Sequence, residues 1–346
     1  MLTTIYKVTS PEVIEEFVDV VDNDNTKVLV KVDYMAICRA DIRYFLGSRD
    51  KNVLDHKYPL APIHEAVGHV VKDPTGKFKK NDKVILIPNS VEQKYLDLFE
   101  NQRCKEKELG INYATHSTFR SSSADGFMRP FYASNPDLLV KFDSNIPSNI
   151  AVFSELLSVA VNALRRLDFN KVKRLAMFGD GILGYITYIV LTTDHPEVDV
   201  TLFGIDDNKM SMFKGIKLEH ANEYKGEKFD TLIEIVGGKY SVDAIESMID
   251  FACVGADLLL MGVSEDRVPI NTRMVLEKGL VLKGATRSSK EDFEHVAKLL
   301  ENKRVQELLT PMVLSETTIE SIVDIYKCFD ADIKNRTVIG KNIMKW

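Results

Sequence analysis

The chain has 346 residues, with 45 Lys and Arg against 51 Asp and Glu and a net charge of −6. That length gives two domains at ordinary domain sizes, and the acidic balance excludes a general affinity for nucleic acid or an anionic membrane. Hydrophobic residues at 45%, with 18 Gly and 11 Pro, exclude a low-complexity chain and fit a folded globular protein.

The opening segment MLTTIYKVTSPEVIEEF carries acids where the apolar stretch of a signal peptide would stand, and no apolar run reaches the length of a membrane span. The cytoplasm is the expected compartment. Up to about residue 145, runs such as KVLVKVDYM, EAVGHVV and DKVILIPN are separated by Gly, Pro, Asp and Asn, which predicts a mainly β segment. From about residue 150, the runs RLAMFG, VDVTLFG, FDTLIEIVG, ADLLLMGV and LVLKGAT alternate with the helical stretches IAVFSELLSVAVNALRRL, GYITYIVLTT and YSVDAIESMIDFA. Nearly continuous apolar runs of strand length suit parallel strands buried on both faces, so this part reads as a doubly wound α/β sheet. One further amphipathic helix, DFEHVAKLLENKRV, leads to a tail ending TVIGKNIMKW.

Gly179-Asp180-Gly181-Ile182-Leu183-Gly184 follows the apolar run Leu175 to Phe178 and opens the apolar segment Tyr185 to Leu191. This is the strand, turn and helix context of a dinucleotide site, where Gly179 permits the turn, Gly181 lets backbone N–H groups approach a pyrophosphate and Gly184 lets the helix pack closely. Asp206 follows the next predicted strand, where a ribose 2′-hydroxyl would be read. A carboxylate there favours NAD(H) over NADP(H), although Lys209 lies near enough to offset its charge.

The four cysteines, Cys38, Cys104, Cys253 and Cys328, form no C-x-x-C and suggest neither a disulfide framework nor an all-cysteine zinc site. Cys38 and the pair His64-Glu65 instead supply thiolate, imidazole and carboxylate, the ligand types of a catalytic zinc with an open position. Glu65 reads equally as a direct ligand or as a carboxylate that orients His64. Glu155 sits in an otherwise apolar helical stretch, where a metal is an attractive partner for a buried carboxylate.

Cys38, His64-Glu65-x-x-Gly68-x-Val70, Asp125-Gly126-Phe127, Glu155 and the glycine fingerprint occur in the order found in the zinc-dependent medium-chain dehydrogenase/reductase superfamily, which the chain resembles over nearly its whole length. The resemblance implies a GroES-like β-rich catalytic domain over residues 1–148, completed by 288–346, and a Rossmann domain over 149–287, with the active site in the cleft between them. Glu155, where alcohol dehydrogenases place a cysteine, resembles the polyol dehydrogenases of that family. The segments ICRADIRYFLGSRDKNVL, FRSSSADGFM, MGVSEDRVPINTRMVLEKGL and ATRSSKEDF resemble more closely the ribulose-5-phosphate reductases. Those enzymes use NADPH to make ribitol 5-phosphate, which a cytidylyltransferase activates as CDP-ribitol for teichoic acid or capsule.

The resemblance implies Zn2+ held among Cys38, His64, Glu65 and Glu155, and a homodimer formed through the sheet edge at LVLKGAT. The family's structural zinc needs four close cysteines near residues 88 to 116; this chain offers Cys104 alone, so one catalytic zinc is expected. Ala40 stands where many relatives begin a proton relay with Ser or Thr, and Arg43 where a histidine is common. Tyr44, which matches a tyrosine near the metal in polyol dehydrogenases, or a water on the metal would then carry the proton. Arg43, Arg49 and Arg120 are candidates for the substrate phosphate, since guanidinium groups match phosphate geometry, with Ser121, Ser122, Arg287 and Ser288 as helpers. Other readings are an NAD-dependent dehydrogenase of unphosphorylated polyols, a reductase making arabinitol 5-phosphate from xylulose 5-phosphate, and a dinucleotide sensor without turnover.

Overall fold

The computed structural model describes residues 1–21, 24–102, 109–335 and 337–346. It divides into two compact units: Met1–Ser158 with Arg287–Arg336 and Gly340–Trp346, and Val159–Thr286 with Thr337–Ile339.

The first unit is built on the strand Val28–Ala36, in which Val28, Val30 and Val32 are fully buried while Leu29 and Lys31 are half-buried. A β-bulge between Val32 and Tyr34 then shifts the alternation, so Met35 and Ala36 face the core in place of Tyr34. This strand pairs with Glu65–Lys72 on one side and with Lys341–Lys345 on the other, and Ala36 lies opposite both Glu65 and Ile343. The sheet continues through Lys83–Leu86 to Leu139–Lys141, and at the other side to Val313–Thr318, which runs parallel to Lys341–Lys345. An N-terminal ribbon, Leu2–Ser10 paired with Val13–Val20, packs Tyr6, Val8 and Ile14 into the same core as Val30, Phe127, Phe329 and Met344.

The second unit is a six-stranded parallel sheet. In spatial order its strands are Lys217–Glu219, Asp199–Phe203, Arg174–Phe178, Phe229–Glu234, Ala252–Leu260 and Val281–Gly284. Numbered along the chain, this is the 3-2-1-4-5-6 order of a dinucleotide-binding doubly wound fold, which bears out the predicted fold class. The strand from LVLKGAT is one edge; the opposite edge, Lys217–Glu219, carries too few apolar residues to stand out in the sequence.

Two helical readings are corrected. DFEHVAKLLENKRV is two helices, Lys290–Leu299 and Lys303–Leu309, because the Asn302 side chain accepts from Arg304 N and starts a new helix. The stretch beginning IAVFSELL is likewise interrupted, giving Ser148–Ala151 and Ser154–Leu164. Among the described residues, no helix is long and apolar enough to cross a membrane.

Gly68 shows why the His64-Glu65-x-x-Gly68 run needs its glycine. A Cβ there would lie 2.1 Å from the Lys31 carbonyl oxygen of the paired strand, and backbone cannot yield as a side-chain tip does. Gly68→Ala should therefore cost about 1–3 kcal/mol of stability, read as a lowered urea midpoint. An unchanged midpoint would contradict the close strand approach.

Candidate metal and nucleotide sites

Within the first unit, Cys38 is the N-cap of the short helix Arg39–Phe45. Asp41, three residues on, closes a capping box by accepting from Cys38 N at 3.0 Å through Oδ2. Its other oxygen accepts from Ile63 N at 3.0 Å, which ties the helix start to the residue preceding His64. Asp41 is fully buried, and Oδ1 lies 3.6 Å from His64 Nδ1. Ser121, whose φ is +62°, brings its Oγ to 2.7 Å from the same nitrogen. With Nδ1 engaged, Nε2 is the ring atom left for a metal, a common arrangement for a ligating histidine. Phe119 packs against the ring, with centroids 5.2 Å apart.

Glu65 starts the strand that follows, and both its carboxylate oxygens accept from Lys341 Nζ, at 2.5 and 2.6 Å. Glu65 is fully buried and Lys341 nearly so. The sheet register produces this meeting, since both strands flank Ala36. One ligand atom from each of Cys38, His64 and Glu65 lies within 4.8 Å of the others, and this is the group found among the described residues. Thiolate, imidazole and carboxylate fit a zinc ion. Glu155, buried in the first turn of Ser154–Leu164, stands outside that group. It is close enough to feel its charges: burial, with repulsion from Glu65 and Asp41, pushes its carboxyl up to about 7 against the opposing pull of His64 and Lys341. The Ser158 hydroxyl, one turn on, donates to Glu155 O and meets Ser288 Oγ at 2.7 Å.

Burial opposes charge on Asp41 and on His64, yet their mutual attraction prevails. Asp41 titrates below the ordinary carboxylate range, helped by the Ile63 and Cys38 amides, and His64 well above its usual value, helped also by Cys38. Lys341 behaves alike: burial lowers its pKa, but Glu65 and Cys38 raise it above the ordinary lysine value. Neither Asp41 nor Lys341 stands out in the sequence by residue type. The C-x-x-D capping spacing was the available signal for Asp41; for Lys341 it was one cation in the apolar tail Ile339 to Met344.

The remaining candidates fall around this group or away from it. Tyr44 is buried, with its hydroxyl 3.2 Å from Ser122 Oγ, and the Arg49 guanidinium stacks 4.5 Å over its ring. Arg43 precedes Tyr44 on the helix and is half-buried. Arg120 is engaged differently, donating to Asp125 O at 3.4 Å and lying 5.4 Å over the Tyr132 ring. Arg287, also at positive φ, donates to Ser117 Oγ and covers the Phe119 ring at 5.2 Å. Cys104 lies outside the described residues.

In the second unit, Gly179 adopts φ +130°, and Gly181 caps the helix Ile182–Asp194 with open space where its Cβ would be. Ile182 and Leu183 form the first helical positions, aiming free amides at the turn. A Cβ on Gly184 would lie 2.0 Å from the Gly179 carbonyl oxygen, so the third glycine protects the turn itself. Asp180 Oδ2 accepts from Ile205 N and Asp206 N, both at 2.8 Å, joining the glycine turn to the loop after the next strand. Asp206 caps the short helix Asp207–Met210, accepting from the Asn208 and Lys209 amides, with Lys209 Nζ 3.7 Å from its other oxygen. Buried Glu234 performs the same service beyond the fourth strand: its oxygens accept from the Val236, Gly237 and Gly262 amides and from Ser241 Oγ.

Residues 24–144 match the family model of the alcohol dehydrogenase GroES-like domain. The chain is 38% identical to ribulose-5-phosphate reductase 1 of Staphylococcus aureus (strain NCTC 8325 / PS 47) over 352 residues, covering 100% of this chain and 99% of that protein. It is 33% identical to the ribulose-5-phosphate reductase of Streptococcus pneumoniae (strain ATCC BAA-255 / R6), covering 100% and 98%. Among solved structures, S. aureus TarJ in complex with NADPH superposes with a TM-score of 0.86 at 34% identity, covering 100% of this chain and 99% of that one. Fold and site together define a GroES-like unit joined to a Rossmann unit, the architecture of an NAD(P)-dependent oxidoreductase of the alcohol dehydrogenase type. Within that medium-chain dehydrogenase/reductase superfamily, the chain belongs to the ribulose-5-phosphate reductases.

Two outcomes follow from the buried charges. Lys341→Met strands Glu65 as an unpaired buried anion and should destabilise the metal-free protein by about 3–5 kcal/mol in urea unfolding, with Glu65→Gln in the same chain recovering part of it. Equal stability of the single variant and the parent would refute the pairing. In the metal-free protein, the charged Asp41 and His64 pair stabilises the fold fully below the ordinary histidine pKa of about 6.5 and loses that contribution as pH rises through the raised His64 value. On the acid side, Asp41's share is present above about 3.9 and is lost as pH falls through its depressed value. Asp41→Asn should accordingly bring the His64 titration, followed by NMR, to lower pH.

Proposed function

We propose that this protein reduces a pentulose 5-phosphate at C2, with D-ribulose 5-phosphate giving D-ribitol 5-phosphate as the leading assignment. The observation that carries the reading is the convergence of Cys38, His64 and Glu65 in a chain that matches the ribulose-5-phosphate reductases over its full length. In this reading a single zinc, with no structural companion, supplies Lewis acidity at the ketone, and the reduced nicotinamide supplies the hydride. Cys38 and His64 would hold the ion, and Glu65 and Glu155 are the carboxylates that would be available to it.

The chain's own contributions are positional and protonic. Asp41 and Ser121 fix the His64 ring, so that its ligating nitrogen keeps one direction. Lys341 holds Glu65 oriented inside the sheet. Hydride addition at C2 leaves negative charge on the former carbonyl oxygen, which one proton must neutralise. Ala40 has no hydroxyl to relay it, and the Tyr44 hydroxyl, hydrogen bonded to Ser122, takes that role. Of the guanidinium candidates Arg43, Arg49 and Arg120, the first two are assigned to the substrate phosphate, since Arg120 is engaged with the Asp125 carbonyl and the Tyr132 ring.

For the cofactor, two features support NADPH. S. aureus TarJ, a full-length structural relative, was solved with NADPH, and the Asp206 carboxylate here is already committed to two backbone amides with Lys209 beside it. Asp206 alone would favour NADH. The reading further assigns a cytoplasmic homodimer joined along Val281–Gly284, whose product goes to a cytidylyltransferase for CDP-ribitol and thence teichoic acid or capsule.

The test is the decay of NADPH and of NADH absorbance with ribulose 5-phosphate, xylulose 5-phosphate and ribulose, before and after chelation. Chelator-sensitive decay that requires the phosphate is expected, and Cys38→Ala or His64→Ala should abolish turnover while NADPH still binds. Oxidation of free sugar alcohols, with no reduction of any ketose phosphate, would replace this reading with a polyol dehydrogenase.

A further inference from the structure

We infer that Lys57, with Arg49 across the Tyr44 ring, forms the subsite for the substrate's terminal phosphate, an assignment that rests on the sugar phosphate reading above. Lys57 Nζ donates to the Ser122 carbonyl oxygen at 2.6 Å, and its side chain is half-buried. An ammonium has three donors, and among the described residues Lys57 has no carboxylate partner. A half-buried cation held in place by a neutral carbonyl is suited to an anion that arrives with the substrate. Ser122 is the hub of the arrangement. Its carbonyl holds Lys57, its hydroxyl meets the Tyr44 hydroxyl at 3.2 Å, and the Arg49 guanidinium lies 4.5 Å over the Tyr44 ring. The Tyr58 hydroxyl donates to the Tyr44 carbonyl and fixes this wall from the other side.

Position relative to the metal ligands completes the argument. Ser121, the neighbour of Ser122, places its Oγ 2.7 Å from His64 Nδ1. Ser122 therefore follows directly on the residue that holds the metal-ligand histidine, and Tyr44 lies on the helix that Cys38 caps, so two separate elements tie the cations to the metal group. Arg120 drops out of the subsite, because it is turned to the Asp125 carbonyl and the Tyr132 ring.

The experiment uses the full-length zinc enzyme and Lys57→Gln, Lys57→Arg and Arg49→Gln. Two readouts are taken: kcat/KM for ribulose 5-phosphate against ribulose, and calorimetric titration with inorganic phosphate. Lys57→Gln should lower the phosphorylated-to-free preference about 10- to 100-fold, chiefly through KM, with Lys57→Arg restoring most of it and phosphate binding weakened in parallel. Arg49→Gln should act in the same direction. Equal losses on both sugars, or unaltered preference and phosphate binding, would overturn the subsite while leaving the reductase assignment standing. If the parent enzyme fails to reduce ribulose 5-phosphate, the assignment of function fails; phosphate binding that still depends on Lys57 would then keep the subsite, and binding indifferent to Lys57 would end it.

Discussion

The bond from Lys341 to both oxygens of Glu65 is the constraint around which the first unit is organised. Two charges with almost no access to water persist only because each is the other's solvent. Their meeting requires three strands in one register: Glu65 opposite Ala36 on one side, and Ile343 opposite Ala36 on the other. A slip of one residue would turn Lys341 or Glu65 to the wrong face. The ion pair is therefore a register lock as well as a neutralised charge, and it holds beside Cys38 and His64 a carboxylate whose direction is set before any ligand arrives.

Asp41 does for the helix what Lys341 does for the sheet. One carboxylate serves the Cys38 amide, the Ile63 amide and the charge on His64. The two metal-ligand candidates come from different local structures, a helix start and a strand start, and Asp41 is the covalently short, polar connection between them. In the second unit Asp180 and Glu234 work in the same manner, each gathering backbone amides from loops at the carboxyl ends of the parallel strands. Buried or half-buried acids that accept from several amides are thus used in both units to hold loops that have no regular structure of their own.

The doubly wound half was legible because its strands are nearly continuous apolar runs and its glycine turn sits between strand and helix periods. The β half was legible in outline from alternation at KVLVKVDYM and EAVGHVV. What escaped the sequence is what depends on register and on distant parts of the chain. Nothing near Lys341 in sequence indicates Glu65, 276 residues away. The break after Leu299 rests on one asparagine cap, which periodicity does not weigh. Glu155 was singled out by its apolar surroundings, and the structure adds the neighbouring charges that act on it. Of three arginines chosen for their chemistry, Arg49 stands against Tyr44 and Arg120 faces Asp125, a difference of direction that residue type alone cannot carry.

The strand Lys341–Lys345 lies inside the sheet, between Val313–Thr318 and Val28–Ala36. A nascent chain that has not yet reached it has an unfilled slot beside Val28–Ala36, and buried Glu65 has no cation. The parallel sheet of the second unit is complete in sequence by Gly284 and has no such dependence. Synthesis order therefore separates the two units: every strand of the nucleotide sheet has been made by Gly284, whereas the carboxylate beside Cys38 and His64 waits for its cation until Lys341–Lys345 has been made and has entered the other sheet.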